Sequence, residues 1–429
     1  MTTKTFAVHT LGCKVNSYES NAISAILEKN GLKCVNFEEF ADIYIINTCS
    51  VTNTGDKKSR QMIRRARRLN PDAFIAVLGC YAQSSPEEVK KLGANLVTGT
   101  SDRVEFAEMI ISMSDGFLVR DISKVSEFEY LPEPDKSERT RAYIKIQDGC
   151  NNFCSYCIIP YTRGRVRSKQ PDLVISEAKA LKDAGFSEIV LTGIEVASYG
   201  KDFGDITLAD LLIRLSDEVG FERIRLSSID PRAFTDEFIE KIASVKGLCH
   251  HFHISAQSLC SDTLKRMNRH YTAEGFLETL DKIRKAMPDA AITTDIITGF
   301  PGETEEEFKT TFENTKKAAF SRLHVFPYSE REGTVAAKME QLPVSVRSER
   351  AKLLIEEGKK LSSDFAKSFP GKTVNVLFEE GKDGIFEGYT ENYVRVAVKS
   401  DRTLSGEIHP VLIKKISGDT LLTGVIDNL

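Results

Sequence analysis

An α/β chain in three parts is predicted: an N-terminal parallel α/β sandwich, a central partial (β/α)6 barrel, and a small all-β barrel of the oligonucleotide-binding kind at the C-terminus. Three observations predict it. Strand and helix signals alternate between residues 4 and 113, the signature of a parallel sheet covered by helices on both faces. The alternation resumes over residues 141–366 with six successive strand signals, as in a full or partial parallel barrel. From residue 372 the apolar period falls to two, with Gly-rich turns between the runs.

The N-terminal elements follow in order. FAVHTL is a short strand, and Ser17–Lys29 carries Ile23, Ile26 and Leu27 near helical spacing. DIYIIN is an apolar strand. Thr52–Leu69 reads as a helix that stops before Pro71. AFIAVLG is a strand, Pro86 opens a helix, LVTG is strand-like, and Val104–Met113 is helical. This first domain is expected to span residues 1–125. The charged stretch SEFEYLPEPDKSERT, 126–140, carries two prolines and reads as a linker.

The barrel is expected over 141–369. Its strands are AYIKIQ, EIVLTG, RIRLSS, HHFHIS, AITTDIITG and RLHVFPY, and a charged helix over 343–368 ends at Pro370-Gly371. Chemistry in such barrels sits at the C-terminal strand ends. Residues 370–429 hold TVNVLFEE, YVRVAVK and LLTGVI, each alternating apolar and polar.

Composition narrows the function classes. With 429 residues and 41% apolar content, the chain can bury several cores. No apolar run is long enough to span a bilayer, and MTTKTFAVHT lacks the pattern of a signal peptide. A cytoplasmic protein with no membrane partner is expected. Nine cysteines are an odd number in a long chain without secretory signals, so reduced thiols are expected rather than disulfides. The net charge of −4 excludes a wholly basic nucleic-acid binder; affinity for RNA must come from local patches.

Cys150-x3-Cys154-x2-Cys157 follows the first barrel strand and so sits at the catalytic mouth. No fourth cysteine or histidine is close by. A structural zinc site would need four ligands, and no adjacent Glu supports catalytic zinc. An iron–sulfur cluster with one iron open to an outside ligand fits better. This spacing, with Tyr156 before the last cysteine, resembles the radical S-adenosylmethionine superfamily. The resemblance implies that S-adenosylmethionine itself fills the open position and is cleaved to a 5′-deoxyadenosyl radical. Gly193 and Glu195 in TGIEVASYG end the second barrel strand. The glycine admits close backbone approach, and Glu195 is placed to accept a hydrogen bond from the S-adenosylmethionine amino group. Ser228 and Gln257 end the next strands and are candidates for its ribose or carboxylate. Gly299 and Gly302 of GFPGET are candidates for shaping the adenine pocket. Thr304 with Glu307 reads as a capping box.

Cys13, Cys49 and Cys80 each end a predicted strand. C-terminal strand ends of a parallel sheet share one edge, so thiols far apart in sequence converge there. Again there are three ligands and no fourth. LGCKVNSYES, NTCSVT and LGCYAQ resemble the methylthiotransferase family. That resemblance covers essentially the whole chain, with the C-terminal barrel resembling a TRAM RNA-binding domain. It implies a second, auxiliary 4Fe-4S cluster on Cys13, Cys49 and Cys80, carrying the sulfur to be inserted. A tRNA substrate, a reducing electron-donor protein and a sulfur donor follow as partners. Leu11-Gly12-Cys13-Lys14-Val15-Asn16 resembles the MtaB-like branch acting on N6-threonylcarbamoyladenosine. The isopentenyladenosine branch usually has Gln after this cysteine, and the branch modifying a ribosomal-protein aspartate has Pro. Those two substrates are the alternatives within the family; a non-catalytic iron–sulfur scaffold or RNA-binding protein is the alternative outside it.

Lys57, Lys58, Arg60, Arg64, Arg65, Arg67 and Arg68 crowd one predicted helix, offset nearby only by Asp56. Like charges at this density repel unless an anion binds, so a tRNA phosphate contact is expected. Arg163, Arg165 and Arg167 read equally as ligand contacts or as rim salt bridges. His251 and His253 read as polar filling of the barrel, and Cys34, Cys249 and Cys260 as structural. Family members commonly read HIPLQSG where this chain has HISAQSL (253–259), and IEP where it has Ile229-Asp230-Pro231.

Overall fold

The computed structural model describes residues 3–132 and 140–426. Six parallel strands form the N-terminal sheet: β1 (Thr5–Thr10), β2 (Lys33–Cys34), β3 (Ile43–Thr48), β4 (Phe74–Gly79), β5 (Leu96–Thr98) and β6 (Gly116–Leu118). Their order is β2-β1-β3-β4-β5-β6. Every residue of β3 and β4 is buried, because helices cover both faces. Ile23 and Leu27 of helix Lys14–Lys29 and Phe106 and Ile110 of helix Arg103–Ile111 share one core. Ile63 and Ala66 of helix Asn53–Leu69 lie in the other. The edge strands β2 and β6 are too short to show a period in sequence. Strand order reverses between β1 and β3, and open α/β sheets bind ligands beyond the strand ends at that switch point.

Residues 133–139 of the expected linker lie outside the described residues. The segment before them packs closely: Phe128 and Leu131 are buried, and Glu129 pairs with Arg103.

The central region holds β7 (Arg141–Lys145), a small antiparallel pair of β8 (Gln147–Asp148) and β9 (Arg167–Ser168), then β10 (Glu188–Thr192), β11 (Arg223–Leu226), β12 (His251–His253), β13 (Ala291–Thr298) and β14 (Arg322–Pro327). Parallel triplets β11-β10-β7 and β12-β13-β14 are joined by the bridges Ile224–Leu248 and Ile229–Ile254. This is a six-stranded parallel barrel left open between β7 and β14. Ala142, Ile144, Ile189, Leu191, Ile224, Leu226 and Phe252 face the surrounding helices. The alternate positions line a polar lumen, in which Glu188 accepts from Arg141 at 2.9 Å and Arg225 at 2.8 Å. Helix Lys14–Lys29 packs on β7, and helix Val344–Ala366 packs on β14.

The C-terminal strands β15 (Thr373–Lys382), β16 (Ile385–Thr390), β17 (Arg395–Lys399), β18 (Ile408–Ser417) and β19 (Leu421–Val425) close into a barrel, β15-β16-β17-β19-β18. Sequence patterning had pointed to three of these five strands. The barrel docks on the N-terminal strand ends of the central barrel. Arg223 donates to the carbonyls of Tyr389 (2.9 Å) and Asn375 (2.7 Å), and Arg225 to that of Glu391 (2.9 Å). Tyr393 stacks on His251, with ring centroids 5.1 Å apart.

Candidate active site

Each N-terminal cysteine emerges where a strand ends. Cys13 caps helix Lys14–Lys29, Cys49 follows β3, and Cys80 opens helix Cys80–Ser84 after β4. Two glycines let these ends close. At Gly12 (φ +104°) a Cβ would stand 3.0 Å from the Cys49 Cβ; at Gly79 (φ +102°) it would meet the Thr48 carbonyl at 2.5 Å. Burial pushes the Cys49 thiol up to about 11, with Cys80 and Cys13 adding to the shift. The three thiols therefore sense one another's charge.

The second triplet lies on the loop between β8 and β9. Gly149 (φ +73°) permits the loop's entry, since a Cβ there would meet the Arg165 carbonyl at 1.8 Å. The Cys150 N–H donates to the Gly164 carbonyl at 3.0 Å, and the Cys157 N–H to that of Cys154 at 2.9 Å. Burial pushes Cys150 and Cys157 up to about 12; Cys154 adds to both. All nine cysteines are free. Among the described residues, no three His, Cys, Asp or Glu side chains converge tightly enough for a single metal ion. Three thiols in each set match the ligand number of an iron–sulfur cluster with one open iron, whereas a closed zinc site takes four ligands.

Cations stand against both sets. Arg163 donates to Cys80 Sγ at 3.4 Å, and Arg269 to Cys154 Sγ at 3.5 Å.

The remaining predicted cofactor residues fall unequally. Glu195 and Asp230 act on Cys150 electrostatically. The Glu195 carboxylate accepts backbone N–H groups of Ala197 and Asp230, each at 3.3 Å. Burial, then the Asp230 charge, pushes it up to about 7. It borders a cavity of about 520 Å3, which Asn152, Ser198 and Arg232 also line. Gly193 packs on Gln147, whose side chain would lie 2.9 Å from a Cβ there. Tyr156 lies beside Cys154 and Cys157 and packs with Phe300. Ser228 Oγ pairs with Ser255 Oγ at 2.6 Å. Gln257 adopts φ +63°, a conformation that costs energy outside glycine, and bonds through its backbone to Asp295 and Ile297 at 2.8 Å each. Gly299 turns against Arg347, which a Cβ would meet at 2.5 Å. Thr304 and Glu307 form the expected capping box. Cys249 and Cys260 are buried, but Cys34 is exposed on edge strand β2, because a two-residue edge strand covers little.

A buried charge network joins the two halves. Glu19 accepts from Arg103 (2.6 Å), Lys145 (2.9 Å) and Arg163 (2.6 Å), and Asp148 accepts from Lys145 (2.5 Å) and Arg163 (3.4 Å). Arg163 also donates to Asn16 Oδ1 at 2.5 Å. Arg331, after β14, donates to Ser50 (2.8 Å), Asn53 (2.8 Å) and Asp56 (2.5 Å). The C-terminal edge of the sheet thus faces the mouth of the barrel, with Arg163 of the second cysteine segment reaching Cys80 of the first set. No local pattern marked Glu19, Arg103, Asp148, Arg269 or Arg331 for this role. Of the three undecided arginines, Arg163 and Arg167 are buried, and Arg165 stacks over Phe153 at 4.7 Å.

The basic helix divides by partner. Arg67 caps the carbonyls of Pro71 (2.7 Å) and Gly93 (2.8 Å), Arg65 pairs with Glu38, and Arg60 reaches Tyr81 (3.2 Å) and Glu88 (3.6 Å). Lys57, Lys58, Arg64 and Arg68 remain exposed. Residues 57, 61, 64 and 68 share one helix face.

Residues 144–314 match the radical SAM superfamily, and residues 5–99 match a family described as uncharacterized protein family UPF0004. A threonylcarbamoyladenosine tRNA methylthiotransferase, MtaB, of Bacillus subtilis is 46% identical over 96% of this chain and 94% of its own. The MtaB of Thermotoga maritima is 39% identical, covering 98% and 96%. A tRNA-2-methylthio-N(6)-dimethylallyladenosine synthase of Desulforamulus reducens is 35% identical, covering 99% and 96%. Among solved structures, the radical S-adenosylmethionine methyltransferase TsrM of Kitasatospora setae superposes with a TM-score of 0.57 at 17% identity, covering 78% of this chain and 75% of its own. That likeness concerns the fold.

Proposed function

This chain belongs to the radical S-adenosylmethionine tRNA methylthiotransferase family, on its MtaB-like branch, and on that premise we propose that it inserts a methylthio group at C2 of N6-threonylcarbamoyladenosine at tRNA position 37. One observation carries the reading: Arg163, six residues beyond Cys157, bonds Cys80 Sγ, Glu19 and Asp148, so the segment bearing the second cysteine triplet docks on the strand ends bearing the first.

Cys150, Cys154 and Cys157 would hold the 4Fe-4S cluster that the superfamily implies, and Cys13, Cys49 and Cys80 an auxiliary one. When bound, these groups and S-adenosylmethionine supply one-electron reduction, radical generation and the sulfur. The chain's own residues do the rest. Arg163 and Arg269 donate hydrogen bonds to the sulfurs of Cys80 and Cys154. Glu195, once ionised, accepts the ammonium of S-adenosylmethionine. The Arg331 and Arg163 contacts hold the sheet edge against the barrel mouth. The exposed basic face and the C-terminal barrel hold the tRNA backbone. An electron-donor protein and a sulfur donor complete the partners.

The test is tRNA from a strain lacking this protein, digested and quantified by mass spectrometry. Loss of the 2-methylthio form of threonylcarbamoyladenosine, with its precursor accumulating, is expected. Loss of the isopentenyl form instead would overturn the substrate, and no change in either would overturn the tRNA reading. Reductive cleavage of S-adenosylmethionine by Cys150→Ala protein would overturn the cluster assignment.

A further inference from the structure

Arg269 lies far from the cysteine run in sequence, yet folding fastens it to Cys154. The chain that leaves helix Ser261–Arg266 is pinned to the cysteine loop. Ser155 donates its N–H to the Met267 carbonyl at 3.0 Å and its hydroxyl to the Arg266 carbonyl at 2.9 Å, and Asn268 Nδ2 donates to the Phe153 carbonyl at 3.0 Å. The Arg269 side chain is buried. Its Nη2 donates to the Ser255 carbonyl at 2.9 Å and lies 3.3 Å from Asp230 Oδ2. Its Nε donates to Tyr271 Oη at 3.0 Å, and the guanidinium sits 5.0 Å from the centre of that ring. Nη1 is left for the Cys154 sulfur, at 3.5 Å. Asp230 offsets the charge of Arg269 only in part, because Arg232 engages the same carboxylate at 2.8 Å. Cys150 Sγ, by contrast, accepts a neutral backbone N–H, from Asn152 at 3.5 Å.

Resting on the reading above, in which Cys154 holds a 4Fe-4S cluster, we infer that Arg269 is a positioning residue for the reductive step: its buried charge at the Cys154 sulfur raises the reduction potential of that cluster, and Asp230 limits the rise. Reduction transfers one electron from the donor protein and adds one negative charge at the site, with no bond broken. A hydrogen bond to a ligating sulfur and a positive charge beside it both favour that added charge. Burial strengthens the effect, since charges interact more strongly away from water. A guanidinium stays protonated at any working pH, so the effect is fixed. Lysine would carry the same charge without the planar fork that lets Arg269 reach Cys154, Asp230, Ser255 and Tyr271 together.

The experiment reconstitutes the full chain with iron and sulfide and follows reduction by electron paramagnetic resonance at controlled potential, without S-adenosylmethionine. The Cys13/Cys49/Cys80→Ala chain identifies which signal belongs to the second triplet. Arg269→Met keeps an unbranched side chain and removes the charge. At a fixed potential its reduced-to-oxidised ratio should fall about tenfold, the low end for a hydrogen bond to a charged group, which is a downward shift of about 59 mV for one electron. Arg269→Lys should lie between Arg269→Met and wild type. Asp230→Asn strips the offsetting charge and should move the ratio the opposite way. If Arg269→Met takes up too little iron to titrate, the direction of the Asp230→Asn shift decides. An unchanged or raised potential in Arg269→Met at full iron content, or an unchanged or lowered one in Asp230→Asn, overturns the inference. If Cys154→Ala leaves the signal intact, the triplet holds no cluster and the reading itself fails; a signal that needs Cys154 but ignores Arg269 sinks this inference alone.

Discussion

Removing Arg163 tests whether the buried network or the surface contacts hold the sheet against the barrel. Arg163→Ala deletes the bonds to Glu19 at 2.6 Å, Asn16 at 2.5 Å and Cys80 at 3.4 Å. Breaking a buried ion pair costs about 3–5 kcal/mol, chiefly because a charge is left uncompensated. Here Glu19 would keep Arg103 and Lys145 at 2.6 and 2.9 Å, so the cost falls at the low end, about 3 kcal/mol. Glu19→Ala is the harsher change. It leaves Lys145, Arg163 and Arg167 facing Asp148 alone, with Arg103 keeping Glu129 as well, and about 5 kcal/mol is expected. Arg214→Ala, which breaks half-exposed pairs with Asp172 and Glu218, should cost under about 1 kcal/mol. Hydrogen exchange of helix Lys14–Lys29 reads the interface without assuming two-state unfolding. At about 1.4 kcal/mol per tenfold, protection should drop roughly a hundredfold for Arg163→Ala, more for Glu19→Ala, and little for Arg214→Ala. Equal protection in all three variants, or a reversed order, would refute the claim that buried charge holds the interface.

Burial alone would raise the Glu19 carboxyl; Arg103, Arg163 and Lys145 outweigh it and hold it down to about 2. A depressed folded-state pKa gives stability that is present above the unfolded value and lost as pH falls through the folded one. Acid should therefore loosen the interface between about pH 4.5 and 2, followed by the same exchange measurement. Glu195 has the opposite sign: pushed up to about 7, it must lose a proton to receive an ammonium. S-adenosylmethionine affinity, by calorimetry, should rise with pH through 7 and lose that dependence in Glu195→Gln. Alanine at Lys57, Lys58, Arg64 and Arg68 together should weaken tRNA binding and flatten its salt dependence by roughly 0.7–0.9 log units per lost contact. Arg67→Ala should instead lower thermal stability, since its guanidinium caps backbone carbonyls. Replacing Cys13, Cys49 and Cys80 with Ala should remove half the iron after reconstitution and spare reductive cleavage of S-adenosylmethionine.

Local signals carried the parts of this protein that are local in cause. The spacing of Cys150, Cys154 and Cys157 is a property of one loop, and period-2 or helical patterning follows from which face of one element is buried. Cys13, Cys49 and Cys80 were legible because parallel topology obliges strand ends to share an edge. The seven basic residues were visible as a run, but their division was not. Arg67, Arg65 and Arg60 find their partners in Gly93, Glu38 and Glu88, which only folding brings near. The same holds for Glu19 and Asp148, whose ionised state depends on cations 84 and 15 residues away in the chain. Sequence determines which groups a chain carries and which face each presents. Tertiary structure decides which charges meet, because Coulomb interactions and desolvation act through distances the sequence does not state.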